Sequence, residues 1–386
     1  MKALRIFFIV LFLLILVIPG FVLLTGWKDK TASFENKAET PMPVFKLSNL
    51  DPFPAKYEDY YNTHFPARNS LLFLYNYFQA RYLLKSPKPS EVTIGSNGWL
   101  YLANYEQQVY TGELRFSKAD LQQTVDELNY RKQVCDSLGA EYRVVIVPSK
   151  FSIYPEFLPP SLTKYEGDNA TDQFVKAMRS QSSVPVLDLR PVLQNFKKEG
   201  LLFMKGDNHW NSLGAYCGYK SIIDWLRTTY RIPPPLPQSE LRFYDTLVIG
   251  NIIGMLGMDK YWHNTFLKAA PLHPLPEERI AAPDYPCPPK FGYPDQWIDQ
   301  HRMADTSLPS ILVIRESFAT VFFRDLFSCH FKSSLYIWDN WEHRLNRNII
   351  QGQKPKIVLC IVIESMIDCF KNYPDKPVLQ KPASGS

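Results

Sequence analysis

The sequence contains no Cys-x-x-Cys pair, no His-x-x-x-His and no His-Glu-x-x-His. Those spacings announce zinc ribbons, redox pairs and zinc proteases, so all three classes lose their usual sign. The seven histidines, His64, His209, His263, His273, His301, His330 and His343, are scattered. No metal centre and no cofactor is expected. Dense runs of lysine and arginine are also missing. The net charge of +5 is spread along 386 residues, which speaks against a nucleic-acid partner. Internal repeats and extended low-complexity tracts are absent. Glycine is scarce, 17 residues against 31 prolines, a balance that stiffens surface loops.

Apolar residues make up 46% of the chain, which excludes a disordered protein. Aromatics reach 14%, suited to core packing and also to sugar-binding grooves. The cysteines are Cys135, Cys217, Cys287, Cys329, Cys360 and Cys369. An even count outside the cytoplasm permits disulfides. Cys217 and Cys360 fall in apolar helix-like and strand-like runs and read as buried thiols.

One long hydrophobic run stands out. Ile6 to Thr25 carries no charge, and as a helix it would reach about 30 Å, the thickness of a bilayer core. Lys2 and Arg5 before it favour a cytoplasmic N-terminus, placing the rest of the chain outside. A cleaved signal would show a shorter run and an Ala-x-Ala site. Pro19-Gly20 leaves cleavage open. Residues 1–26 are therefore read as anchor or signal, 27–56 as a polar linker, 57–376 as one domain and 377–386 as a tail.

Within the domain, Tyr57 to Leu84 is helical in period, interrupted at Phe65–Arg68. Gly95-Ser96-Asn97-Gly98 reads as a turn feeding a strand. Ser117 caps a helix running to about Leu138, and Tyr142 to Val147 is extended. Helix–strand units recur at Ala170–Arg179 with Val184–Leu189, at Ser212–Tyr230, and at Ser310–Ile314 with Ala319–Phe327. Leu335–Trp338 and Ile357–Ile363 are further strands. Continuous apolar strands alternating with helices predict an α/β fold with a mostly parallel sheet covered on both faces. Residues 232–303, rich in proline, tyrosine and charge, read as an insertion bordering a substrate groove.

Two stretches carry chemistry. In Gly206-Asp207-Asn208-His209-Trp210-Asn211, a carboxylate two residues before an imidazole can accept from Nδ1–H and leave Nε2 as a base. The plain alternative is a capping loop with an incidental histidine, with Asn211 or Ser212 as the cap. In Ile311–Ala319, a strand runs into a turn bearing Ser317 and then a helix. That would expose Oγ at the sheet's carboxyl edge and aim helix amides at the same spot. The alternative there is an N-cap serine. Nucleophile, base and orienting acid are together present, in the order Asp, His, Ser.

These stretches resemble the SGNH-hydrolase-like proteins of the alginate O-acetyltransferase type (AlgX/AlgJ-like), and the related group named for an Asp-His-His-Trp motif. Gly95–Leu102 resembles the Gly-x-x-Gly-Trp-Leu segment of that family. Asp207–Asn211 matches its Asp-x-His-Trp-Asn motif, and Arg315-Glu316-Ser317-Phe318 sits where it has Gly-Asp-Ser-Phe or Gly-Asp-Ser-Tyr. Val147–Lys150 and Tyr154–Glu156 are also similar. The resemblance spans roughly Phe65 to Phe370. It implies a three-layer SGNH-hydrolase-like sheet and a serine that takes an acetyl group. A membrane-bound O-acyltransferase partner would deliver the acetyl, and hydroxyls of an exported polysaccharide would receive it. Asp207, His209 and Ser317 take the catalytic roles by motif, and the Ser317 N–H would join the oxyanion hole. Trp210, Asn211, Asn340 and Lys150 are candidates for substrate or oxyanion contact. Arg315-Glu316 departs from Gly-Asp, so a carbohydrate esterase, or a glycan-binding scaffold with a degenerate site, are the alternatives.

Overall fold

A computed structural model describes residues 2–25, 40–46, 51–65, 67–288, 291–338 and 342–371. Much of the expected linker (27–56) and the whole tail (377–386) lie outside the described residues. The chain divides into two compact units, residues 1–87 with 254–261, and 88–253 with 262–386.

The first unit is helical. It begins with α1 (Lys2–Leu24), 23 residues long and uncharged beyond Arg5. Its side chains are described without a break only over 4–15, and among the described residues no helix is long and apolar enough to cross a membrane. α2 (Phe53–His64) and α3 (Arg68–Tyr82) follow, separated near the predicted interruption, with Ala67 at φ 58°.

The second unit opens with a hairpin of β1 (Val92–Ile94) and β2 (Leu100–Leu102). Then come α4 (Tyr105–Thr111), α5 (Lys118–Ser137), β3 (Glu141–Val147), α6 (Lys150–Ile153), α7 (Ala170–Gln181), β4 (Val186–Asp188), α8 (Arg190–Phe196) and α9 (Ser212–Arg227). A second hairpin, β5 (Leu241–Val248) with β6 (Asn264–Pro271), brackets the short α10 (Asn251–Met255). The chain closes with β7 (Glu278–Ile280), β8 (Ile298–Arg302), β9 (Ser310–Ile314), α11 (Val321–Ser328), β10 (Ser333–Ile337), α12 (Arg347–Gln353) and β11 (Ile357–Ile363).

Seven strands form one sheet in the order β4-β3-β11-β9-β10-β8-β7. The first five are parallel, and β8 and β7 add on antiparallel. Alternate side chains of one strand enter two different cores. Val145, Val147, Ile311, Val313, Leu359 and Ile361 pack with Leu213 and Ile222 of α9 and Phe323 and Phe327 of α11. Val144, Ile146, Leu312, Ile314, Val358 and Cys360 pack with Val125 and Leu128 of α5, Phe174 of α7 and Ile349 of α12. Both faces are covered, which is why these strands read as unbroken apolar runs. The expectation for residues 232–303 needs correction. The segment is not simply inserted, because it supplies a hairpin and then two strands of the main sheet.

Among the described residues no disulfide joins the cysteines.

Candidate active site

Parallel strands deliver their following loops to one edge of the sheet. β9 ends at Ile314, and the Arg315 N–H continues its ladder by donating to Ile337 O at 2.8 Å. The chain then turns, presenting Ser317. The expected turn between strand and helix carries Ser317, but α11 starts at Val321 instead of Ala319, with Thr320 Oγ1 as its cap, so Ser317 is not an N-cap. Nor does the turn require glycine at 315. The positive-φ non-glycine residues described are Ala67, Leu84, Asn97, His343 and Lys354, so Arg315 stands in ordinary backbone. Its guanidinium is buried, donates to Gln296 O at 2.7 Å and lies 4.9 Å over the Trp338 ring. Burial and the nearby Arg324 push it down to about 9.

His209 reaches Ser317 from the loop before α9. Its Nε2 lies 2.8 Å from Ser317 Oγ, and its Nδ1 lies 2.7 Å from Asp207 Oδ1. Asp207 Oδ1 also accepts from the His209 N–H at 2.9 Å, and Oδ2 accepts from the Asn251 N–H at 2.8 Å. Burial alone would raise this carboxyl, but the His209 and Asn251 hydrogen bonds hold it below its usual value. A carboxylate that accepts Nδ1–H leaves Nε2 as the acceptor for the serine hydroxyl.

Asn251 gave no signal in the sequence. Its approach depends on Gly250, where a Cβ would fall 2.1 Å from Gly206 O. Two glycine-bearing segments thus pass at backbone contact and bring a distant N–H onto the aspartate.

The other candidates mostly hold the frame. Trp210 and Asn211 were expected at the substrate, but both are buried, with their polar atoms committed to backbone. Trp210 Nε1–H donates to Phe318 O at 2.9 Å, joining the histidine loop to the serine turn. Asn211 caps α9, accepting from the Leu213 and Gly214 N–H groups, and donates to Leu201 O at 2.6 Å. The capping alternative therefore holds alongside the histidine geometry. Lys150 is fully buried and donates to Leu100 O at 2.7 Å and Lys205 O at 3.1 Å. Leu100 N–H donates to the same Lys205 carbonyl at 2.8 Å. The Gly-Trp-Leu hairpin is thus fastened to the loop two residues before Asp207. Burial drives Lys150 down to about 7, against the pull of Asp207 and Glu106. Asn340 lies outside the described residues.

Glu316 is the residue whose importance the motif understated. It is buried, and its Oε2 lies 3.2 Å from Ser317 Oγ and 3.2 Å from the Phe318 N–H. Ser317 has one hydroxyl proton but faces two acceptors, His209 Nε2 and Glu316 Oε2. If the hydroxyl donates to the imidazole, the second contact needs a proton on Glu316. Burial supplies the reason for one, pushing this carboxyl up to about 7.

Sheet and loops together define an α/β fold whose central strands are parallel and whose candidate site lies at their carboxyl edge. Residues 92–251 match the family model described as the SGNH hydrolase-like domain of the acetyltransferase AlgX. The chain is similar to the probable alginate O-acetylase AlgJ of Pseudomonas aeruginosa, 24% identical over 263 residues, 68% of this chain and 60% of that protein. The match therefore spans less than two thirds of the relative. In fold it resembles Bacillus cereus PatB1 with a sulfonyl adduct, at TM-score 0.55 and 16% identity over 72% of this chain and 97% of that one. It also resembles a DHHW family protein from Eubacterium siraeum, at TM-score 0.51 and 15% identity over 73% and 94%. The resemblance read from the motifs holds in both sequence and fold.

Proposed function

We propose that this chain is an extracytoplasmic O-acetyltransferase that modifies hydroxyls of a polysaccharide through an acetyl-serine intermediate. The observation that carries this reading is the unbroken chain of contacts from Ser317 Oγ to His209 Nε2, and from His209 Nδ1 to Asp207. Ser317 Oγ attacks the carbonyl carbon of an acetyl donor while His209 Nε2 takes the hydroxyl proton. Asp207 stabilises the imidazolium, which then protonates the departing group. In the second half a glycan hydroxyl gives its proton to His209 and attacks the acetyl-serine. The sugar ester leaves and Ser317 regains its proton. Neutral Glu316 donates toward Oγ and stabilises the charge that returns to it as the acetyl-serine bond breaks in the second half.

The run of α1 beyond Arg5, without charge and with exposed apolar side chains, Phe8, Phe12 and Ile15 among them, supports membrane attachment. A membrane-bound O-acyltransferase is the proposed source of acetyl groups. Alginate oligosaccharides are the first acceptor to test, because the curated relative carries that name. The test supplies 4-nitrophenyl acetate as donor and measures sugar ester against free acetate by mass spectrometry. Transfer that exceeds hydrolysis, and is lost in Ser317→Ala, agrees with the reading. Release of acetate alone, with every acceptor tried, makes the protein an esterase.

A further inference from the structure

A second constellation shares no member with the Asp207, His209 and Ser317 group. Its members come from three elements: His301 on β8, Asp325 on α11, and Glu277 in the segment joining β6 to β7. One nitrogen or oxygen of each lies within 4.8 Å of the others. We propose that Glu277, His301 and Asp325 form a site for one divalent cation of the zinc type, bracing β8 against the helix that follows the Ser317 turn.

The imidazole is poised for this. Nδ1 faces Glu277 Oε2 at 2.6 Å, and Nε2 faces Asp299 Oδ2 at 3.2 Å. Asp299 is itself held, by Arg279 Nε on Oδ1 at 2.6 Å and Arg324 Nε on Oδ2 at 3.2 Å. A fixed carboxylate on the far ring nitrogen is the usual support behind a metal-binding histidine. It sets the tautomer and leaves the near nitrogen's lone pair for the ion. Here the near nitrogen is turned to Glu277, which shares the cluster with Asp325.

The charge balance leaves a gap at the same place. The Asp325 carboxylate receives no hydrogen bond from any described residue, and its partial burial and the Glu277 charge raise it. Arg279 and Arg324 pair with Asp299, and His301 and Arg324 only partly offset the charges of the two carboxylates. A dication relieves their repulsion, whereas an imidazolium bridges only one of them closely. One imidazole nitrogen and two carboxylate oxygens suit zinc or manganese better than calcium or magnesium, which prefer all-oxygen shells. The three ligands are far apart in sequence, so no short spacing motif announces them.

The test uses the full chain in detergent, free of any histidine tag and stripped by chelator, titrated calorimetrically with zinc chloride at pH 7.5. One equivalent should bind, with protons released and the melting temperature raised. Asp325→Asn should weaken zinc binding by about ten-fold or more, with far-UV dichroism and chelator-treated melting unchanged. If that variant does not fold, Glu277→Gln is read in the same way. No zinc binding by the wild type, or equal affinity in the folded variant, overturns the site and makes His301 a cationic bridge. Neither result touches the acetyl-serine chemistry, which is assayed separately.

Discussion

Trp210 and Phe318 are tied across the candidate site by one hydrogen bond, from the indole N–H to the main-chain carbonyl at 2.9 Å. The two residues flank His209 and Ser317, so this bond fixes how far apart the imidazole and the serine hydroxyl sit. The Phe318 ring lies 4.8 Å from the imidazole and 5.4 Å from the indole, packing the same joint. Trp210→Phe keeps most of the apolar volume and leaves a buried carbonyl without its donor, a loss of about 1–3 kcal/mol. Lower kcat with little change in KM is expected, measured beside urea unfolding to follow the stability loss. Unchanged kcat would show that the joint does not set the alignment.

Gly250 carries a different constraint. A methyl group there meets Gly206 O and lies 3.0 Å from the Asp207 nitrogen. Gly250→Ala should push the 250–251 segment outward, remove the Asn251 N–H from Asp207 and destabilise the fold by about 1–3 kcal/mol. Kinetics and thermal melting of the variant test this. Full activity with an unshifted melting temperature would mean the close approach is dispensable.

Glu316 gives the pH dependence a sign. Its carboxyl is raised from 4.5 to about 7, by burial first, against the pull of His209, the Phe318 N–H, Ser317 and Arg315. Glu106 is also buried and raised, to about 8, with Glu316 among the charges that raise it. A raised folded value means that the contribution of Glu316 to stability is complete below 4.5 and is lost as pH rises through about 7. Ionised Glu316 also competes with His209 for the serine proton. Wild-type rate should therefore fall above about pH 7, and Glu316→Gln should move that fall to higher pH while flattening the stability profile. Superimposable profiles for the two proteins would remove Glu316 from the chemistry.

Lys150 has the opposite sign. Burial lowers it from 10.5 to about 7, so its stabilising share is present above 10.5 and is lost as pH falls through about 7. Lys150→Met should abolish that trend in urea unfolding between pH 7 and 10, and should slow turnover by loosening the Lys205 carbonyl. A wild-type profile no different from the variant's would contradict the buried, depressed amine.

Much of this architecture was legible in the residues. Ser310–Ile314 and Ile357–Ile363 match their observed strands because central parallel strands are apolar on both faces. The Ser117 cap and the helix after it were likewise readable from local chemistry. β8 was not. Its sequence Ile-Asp-Gln-His-Arg carries no strand period, and its place depends on pairing with β10, whose residues lie more than thirty positions further on. The Asp-x-His and Ser segments each announced a chemical type, but nothing local joins them. The joint is made by Trp210, and the second donor on Asp207 comes from Asn251, a residue whose role exists only once two glycines let the chains touch. Glu316 stood in plain view as a departure from the motif, and its meaning depended on burial, which a single sequence does not display.

The most direct test of the central claim is intact-protein mass spectrometry after brief exposure of the full chain to an activated acetyl ester, followed by peptide mapping. A single added acetyl group on Ser317, discharged when a glycan acceptor is supplied and missing in His209→Ala, is the predicted result. Acetylation confined to surface lysines, or equal labelling of the wild type and Ser317→Ala, would contradict it.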